Sequence, residues 1–123
     1  MDNTFGELIN KKRLEKHITL RAFSRMIGIS PEYLSKIENG LRSAPKDDIL
    51  KRMADRLDFN NQEREMLFDL AAESKVYLSL AIDLIYYISE NKIIHKTLRL
   101  AKRCNLSVED WQGIYDSISE RYL

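Results

Sequence analysis

The sequence predicts an all-α protein. Apolar residues recur at helical spacing along most of its 123 residues, no alternating β-branched run bounded by hairpin signals interrupts them, and only four glycines and two prolines are present. Charged residues make up 32% and hydrophobic ones 44%. That is the composition of a globular chain of helix formers, not of a disordered one.

The first helix is expected over about 4–16, with Phe5, Leu8, Ile9 and Lys12 or Arg13 on its inner edge. Thr19 is a good N-cap for a second helix over about 20–27, which Gly28 stops by accepting a positive φ without a Cβ penalty. Ser30 caps a third helix. Pro31 takes its first position, where the missing N–H costs nothing, and Gly40 ends it just past Asn39. After the loop "LRSAP", a fourth helix to Leu57 carries Ile49, Leu50, Met53, Ala54 and Leu57 on one face, and a fifth opens at Asn60-Asn61 and runs to about residue 74 with Met66, Leu67, Leu70 and Ala71 inward. Three more helices are expected over about 76–90, 93–104 and 108–122, the last opened by Ser107 and Asp110 in a near capping box. Two regions follow from this layout: a five-helix domain over 1–74 and a helical C-terminal extension over 75–123.

The formal net charge of +1 is unevenly spread: residues 1–60 hold 12 Lys/Arg against 9 Asp/Glu, and residues 61–123 hold 8 against 10. A basic excess this small does not identify a partner, so position has to. The single cysteine, Cys104, excludes an internal disulfide framework, suits a reducing cytoplasm, and is expected to be a buried or half-buried apolar residue. The N-terminus lacks the regions of a signal peptide, and Ser79 and Asp83 interrupt the longest apolar stretch, so a cytoplasmic protein without a membrane span is expected. No phosphate-cradling glycine loop, metal-spaced His/Cys cluster or Ser-His-Asp order is present. The expectation is therefore no catalytic residue, no metal and no cofactor.

Within "LRAFSRMIGISPEYLSKIENG", Phe23, Ile27, Ile29, Leu34 and Ile37 fall where two short helices would pin each other across the Gly28 turn, leaving the second helix with one free face. Such a helix fits the major groove, where base edges are distinguishable. Leu34 and Ile37 point inward, so Pro31, Glu32, Tyr33, Ser35, Lys36 and Asn39 point out. Glu32, Tyr33, Ser35, Lys36 and Asn39 are thus the candidate base readers. Lys36 suits guanine O6/N7, Glu32 suits cytosine N4, and Tyr33 suits a thymine methyl or a phosphate. Arg21, Ser30, Arg42 and Lys46, at helix ends beside this face, are the phosphate candidates. Arg25, Lys51 and Arg52 read instead as decoration of outer faces.

Residues 5–58 resemble the Cro and lambda-repressor type of helix-turn-helix domain, the XRE family. The resemblance rests on "FGELINKKR", "TLRAFSRMIGIS", "PEYLSKIENG" and "ILKRMADRLDF". It implies a DNA-binding regulator with base readers at Glu32, Tyr33, Ser35 and Lys36, and a structural pair, Arg13 and Glu38, tying the first helix to the end of the third. Two departures stand out: Leu20 where the family usually has a phosphate-holding glutamine, and Ser24 where it usually has alanine.

"VYLSLAIDLIYYI" is apolar nearly all around and so is expected to be buried on several sides, among Met66, Leu70, Ile94, Leu98, Trp111, Ile114 and Ile118. Asp83 inside it would hydrogen-bond a neighbouring helix end. A homodimer on double-stranded DNA is the expected assembly, with the surfaces around Ile82 and Trp111 as candidate interfaces. The tail helices are also a candidate place for a peptide, small-molecule or protein effector. An antitoxin-like partner protein that also binds DNA is the alternative reading.

Overall fold

The computed structural model describes residues 4–75 and 80–123. Eight helices make up the regular structure of these residues: α1 Phe5–Glu15, α2 Leu20–Ile27, α3 Pro31–Glu38, α4 Asp47–Arg56, α5 Asn61–Glu73, α6 Ile82–Glu90, α7 Lys92–Cys104 and α8 Val108–Tyr122. The chain divides into two units, one reaching Ile85 and the other running from Tyr86 to Leu123.

Local chemistry sets most helix ends. Thr4, Thr19, Ser30, Asn60 and Ser107 each accept a backbone N–H in the first turn of the helix they cap, and Glu63 and Asp110 return the bond to complete capping boxes. At the other ends Gly28 and Gly40 take positive φ, as the sequence requires, and so do His17, Asp58 and Asn105. In the last three a side-chain-bearing residue occupies the left-handed position that glycine fills more cheaply.

In the first unit, α1 packs on α3 and α5, α2 on α3 and α4, and α4 on α5. The buried cluster between them includes Leu8, Ile9, Phe23, Ile27, Leu34, Ile37, Met53, Leu57 and Leu67. Gly6 is needed at the α1–α3 contact, because a Cβ there would run into the carbonyl oxygens of Ile37 and Glu38. Ser24 is buried with its hydroxyl donating to the Arg21 carbonyl at 2.8 Å, so the polar atom is satisfied where alanine is usual. Met66, expected inside, is 46% exposed; the buried face of α5 is Leu67, Phe68 and Ala71, one step further round the helix.

The tail differs most from expectation. Residues 76–79, part of the expected sixth helix, lie outside the described residues, while Leu80 and Ala81 are not helical and α6 begins at Ile82. Asp83 therefore sits in the first turn of α6, where its carboxylate accepts the Leu84 N–H at 3.0 Å and faces the positive end of the helix, not a neighbouring one. Leu84, Ile85, Tyr86 and Tyr87 are exposed, so α6 is not buried on several sides; among the described residues of this stretch, only Ala81 and Ile82 join the core of the first unit. Asn91 separates α6 from α7 by donating its amide to the Tyr87 carbonyl at 2.9 Å. Cys104 is exposed rather than buried, because the inward position of the last α7 turn belongs to Ala101. No helix of the described residues is long and apolar enough to cross a membrane.

Candidate nucleic-acid interface

The turn between α2 and α3 is built from both sides. Gly28 and Ile29 each donate an N–H to the Ser24 carbonyl, at 2.9 and 3.0 Å, closing α2 with Gly28 at φ 79°. Ser30 Oγ accepts the Tyr33 N–H at 3.1 Å and Pro31 opens α3. Arg52 of α4 reaches across and donates Nη1 to the Ile27 carbonyl at 3.1 Å. This residue, read from sequence as surface decoration, closes the exposed end of α2. Its only sequence signal is Asp48 one turn earlier, which pairs with it at 3.7 Å.

The other end of α3 is closed by Gly40, whose N–H donates to the Ile37 carbonyl at 3.1 Å while Leu41 N–H donates to Lys36 at 2.8 Å, a Schellman motif. Glu38, on the last turn, receives Arg13 Nε and Nη2 at 2.8 and 2.9 Å and Asn10 Nδ2 at 2.8 Å. Arg13 Nη1 also donates to the Ile18 carbonyl at 2.9 Å. Its hydrogen bonds to Glu38 hold the guanidinium above its ordinary pKa, against the opposing effect of burial. The tilt of α3 is thereby tied to α1 and to the segment that leads into α2.

With Leu34 and Ile37 buried, α3 presents its other face outward. Ser30, Glu32, Tyr33 and Lys36 line one open cleft of about 440 Å³ together with Arg42 and Ser43 of the following loop. Tyr33 also borders a second cleft beside it, of about 470 Å³, lined by Gly28, Lys46 and Arg52 among others. Two of the phosphate candidates, Ser30 and Arg42, thus stand with three of the base-reading candidates, and Lys46 stands next to them. Ser43 joins this group without having been singled out in the sequence; adjacency to Arg42 was its signal.

The remaining candidates sit apart. Arg21 is exposed in the first turn of α2 and lines neither cleft. Asn39 is the C-cap of α3 and donates its amide to the Ser35 carbonyl at 2.9 Å and the Ser35 hydroxyl at 3.4 Å, so these two side chains engage each other. Leu20, where a polar phosphate holder was expected, packs against the buried cluster.

Chemically the cleft offers an ammonium, a phenol and one carboxylate on α3, a hydroxyl at its N-cap, and a guanidinium and a second hydroxyl on the loop that follows it. Cations and hydroxyls are the group types that meet phosphate oxygens, and an ammonium and a carboxylate are among those that hydrogen-bond base edges. Glu32 also lies in the first turn of α3, where the helix end favours its charge.

The helix-turn-helix family model matches residues 9–60. The HTH-type transcriptional repressor RghR of Bacillus subtilis is 35% identical over 54 residues, 44% of this chain and 40% of that protein. The ImmF control region 10 kDa protein of Bacillus phage phi105 is 45% identical over 49 residues, 40% of this chain and 53% of that protein. The match thus spans about half the length of these relatives or less. A solved SinR protein/SinI protein complex superposes with a TM-score of 0.49 at 22% identity, over 96% of this chain and 97% of that one. Residues 9–60, which contain the α2-turn-α3 unit and α4, are thus similar to the helix-turn-helix family over less than half of this chain.

Proposed function

We propose that the protein is a cytoplasmic, sequence-specific DNA-binding repressor of transcription that acts as a homodimer. The observation that carries this reading is the cleft in which Glu32, Tyr33 and Lys36 on α3 stand beside Ser30, Arg42 and Ser43. Base-reading groups on a helix that fits the major groove are flanked there by phosphate-binding groups on either side. The names of the two curated relatives, a repressor and a phage control-region protein, support the same reading. Glu32, Tyr33, Ser35 and Lys36 read bases, with Asn39 at the end of the same face; Arg21, Ser30, Arg42 and Lys46 hold phosphates.

Dimerisation is assigned to the second unit. Among Tyr86 to Leu123 only Ala101 is buried, while Ile93, Leu98, Trp111, Ile114, Tyr115 and Ile118 are at least 40% exposed. Helices of 13 and 15 residues with so little core of their own need a partner to cover their apolar faces. A second copy supplies that cover and brings two recognition helices to half-sites roughly 34 Å apart. The same faces support a second reading, in which the tail holds a different protein, as an antitoxin-like partner does.

Selection of bound sites from random duplexes, with sedimentation of the free chain, tests both. A recurring two-fold motif and a dimer are expected. Binding that enriches no motif and only falls with salt reduces the claim to non-specific association, and a monomer that co-purifies with another protein favours the second reading.

A further inference from the structure

The loop behind the recognition helix is held by the far end of α5. Ala44 is buried, and both of its backbone polar groups are taken by that end: its N–H donates to Ser74 Oγ at 2.9 Å, and its carbonyl accepts from Lys75 Nζ at 2.8 Å. Ser74 is itself fixed, because its hydroxyl donates to the Ala71 carbonyl at 2.6 Å in the last turn of α5. One hydroxyl thus spends its proton on the helix and a lone pair on the loop. These bonds join residues 30 and 31 positions apart.

Upstream, the same loop is anchored by the Schellman bonds of Gly40 and Leu41. Between the two anchors lie only Arg42 and Ser43, both exposed. They border the cleft with Lys36 on one side and, on the other, a cavity of about 450 Å³ that Ser74 also lines. The loop has no regular hydrogen-bond ladder, so where Arg42 stands depends on what holds its neighbours. Free to sample other backbone states, the guanidinium would be ordered only on meeting a phosphate, at an entropic cost to binding.

We propose that Ser74 and Lys75 are positioning residues for DNA binding: by holding Ala44 they set Arg42 and Ser43 in place beside α3. The inference rests on the DNA reading above. It adds to the interface two residues that lie outside the cleft.

The test uses the full chain and a mixed-sequence duplex of about three helical turns at low salt, since a phosphate contact does not depend on sequence. Wild type is compared with Ser74→Ala, Lys75→Met, Lys75→Arg, Arg42→Ala and the Arg42→Ala/Ser74→Ala double variant. Ser74→Ala and Lys75→Met are each expected to weaken binding about 3- to 10-fold, and Lys75→Arg to retain most of it. In the Arg42→Ala background, Ser74→Ala is expected to cost much less than in wild type, a result that a merely structural role would not produce. Amide exchange at Ala44 is expected to speed up in Ser74→Ala while the amides of α1 to α4 stay protected. If Ser74→Ala unfolds, Lys75→Met in both backgrounds carries the same comparison. Unchanged binding by both variants, or an equal cost with and without Arg42, overturns the inference and leaves the DNA reading standing; a wild-type chain that binds no duplex removes both.

Discussion

Arg13 and Glu38 grip each other in a two-pronged ion pair, Nε to Oε2 at 2.8 Å and Nη2 to Oε1 at 2.9 Å, with side chains only 9% and 5% exposed. The pair joins the last turn of α1 to the last turn of α3, so stability and the placement of α3 share it. Arg13→Ala strands a buried carboxylate and is expected to cost about 3–5 kcal/mol in urea unfolding. Arg13→Met combined with Glu38→Leu should recover most of that loss, since two apolar groups leave no charge unpaired.

Lys36 and Arg42 line one cleft but should fail differently. Lys36→Ala is expected to weaken operator binding by about 1–3 kcal/mol and to relax one base preference. Arg42→Ala should weaken all duplexes alike and lower the salt slope by about 1. Titrations of selected and mixed duplexes at several salt concentrations separate the two outcomes.

Glu63 gives the fold a specific acid sensitivity. Its carboxylate accepts the Asn60 N–H and pairs with Lys12 Nζ at 3.0 Å, and these contacts, the Asn60 bond first, hold its pKa below the ordinary value. A depressed native pKa means stability that is present above the unfolded-state value, about 4.3, and lost as pH falls through the native one. Glu63→Gln keeps a capping side chain and should flatten this part of the acid limb. Glu63→Ala should also lose part of the cap, about 0.5–1 kcal/mol at neutral pH. Thermal unfolding from pH 7 downward is the measurement.

Gly6→Ala places a methyl group against the carbonyl oxygens of Ile37 and Glu38. The backbones of α1 and α3 must then part, and a loss of about 1–3 kcal/mol is expected by urea unfolding. DNA affinity should drop further than the unfolded fraction accounts for, because the recognition helix is the element displaced.

Trp111→Glu and Ile118→Glu put charge on the exposed face of α8. On the proposed dimer, both are expected to give monomer in sedimentation velocity and to weaken operator binding by about tenfold or more, as two half-sites would lose their link. If the proposed second copy is what covers α7 and α8, their helix content should also fall in circular dichroism.

Much of the helix-turn-helix unit was legible because its signals are local. Thr19, Gly28, Ser30, Pro31 and Gly40 act on the backbone within a few residues of themselves, and each start and stop they mark is where the structure has it. Leu34 and Ile37 are buried for the same reason: with one helix face inward, spacing decides which residues share it. The tail was harder to read. "VYLSLAIDLIYYI" carries apolar residues on every side, so periodicity could not choose a buried face or reveal that α6 starts only at Ile82.

The sequence by itself determined α1 to α5, the caps at Thr19, Ser30 and Ser107, the turn between α2 and α3, and the outward face of α3, because each follows from spacing and bonds among near neighbours. Only the tertiary structure decided that Arg52 closes α2, that Gly6 admits α3, and that Ser74 and Lys75 hold the Arg42 loop. Those relationships join residues about 25 to 32 positions apart. A serine, a lysine or an arginine on a helix has the same local preferences whether it meets solvent or a distant carbonyl, and only the packing of the chain brings that carbonyl within reach.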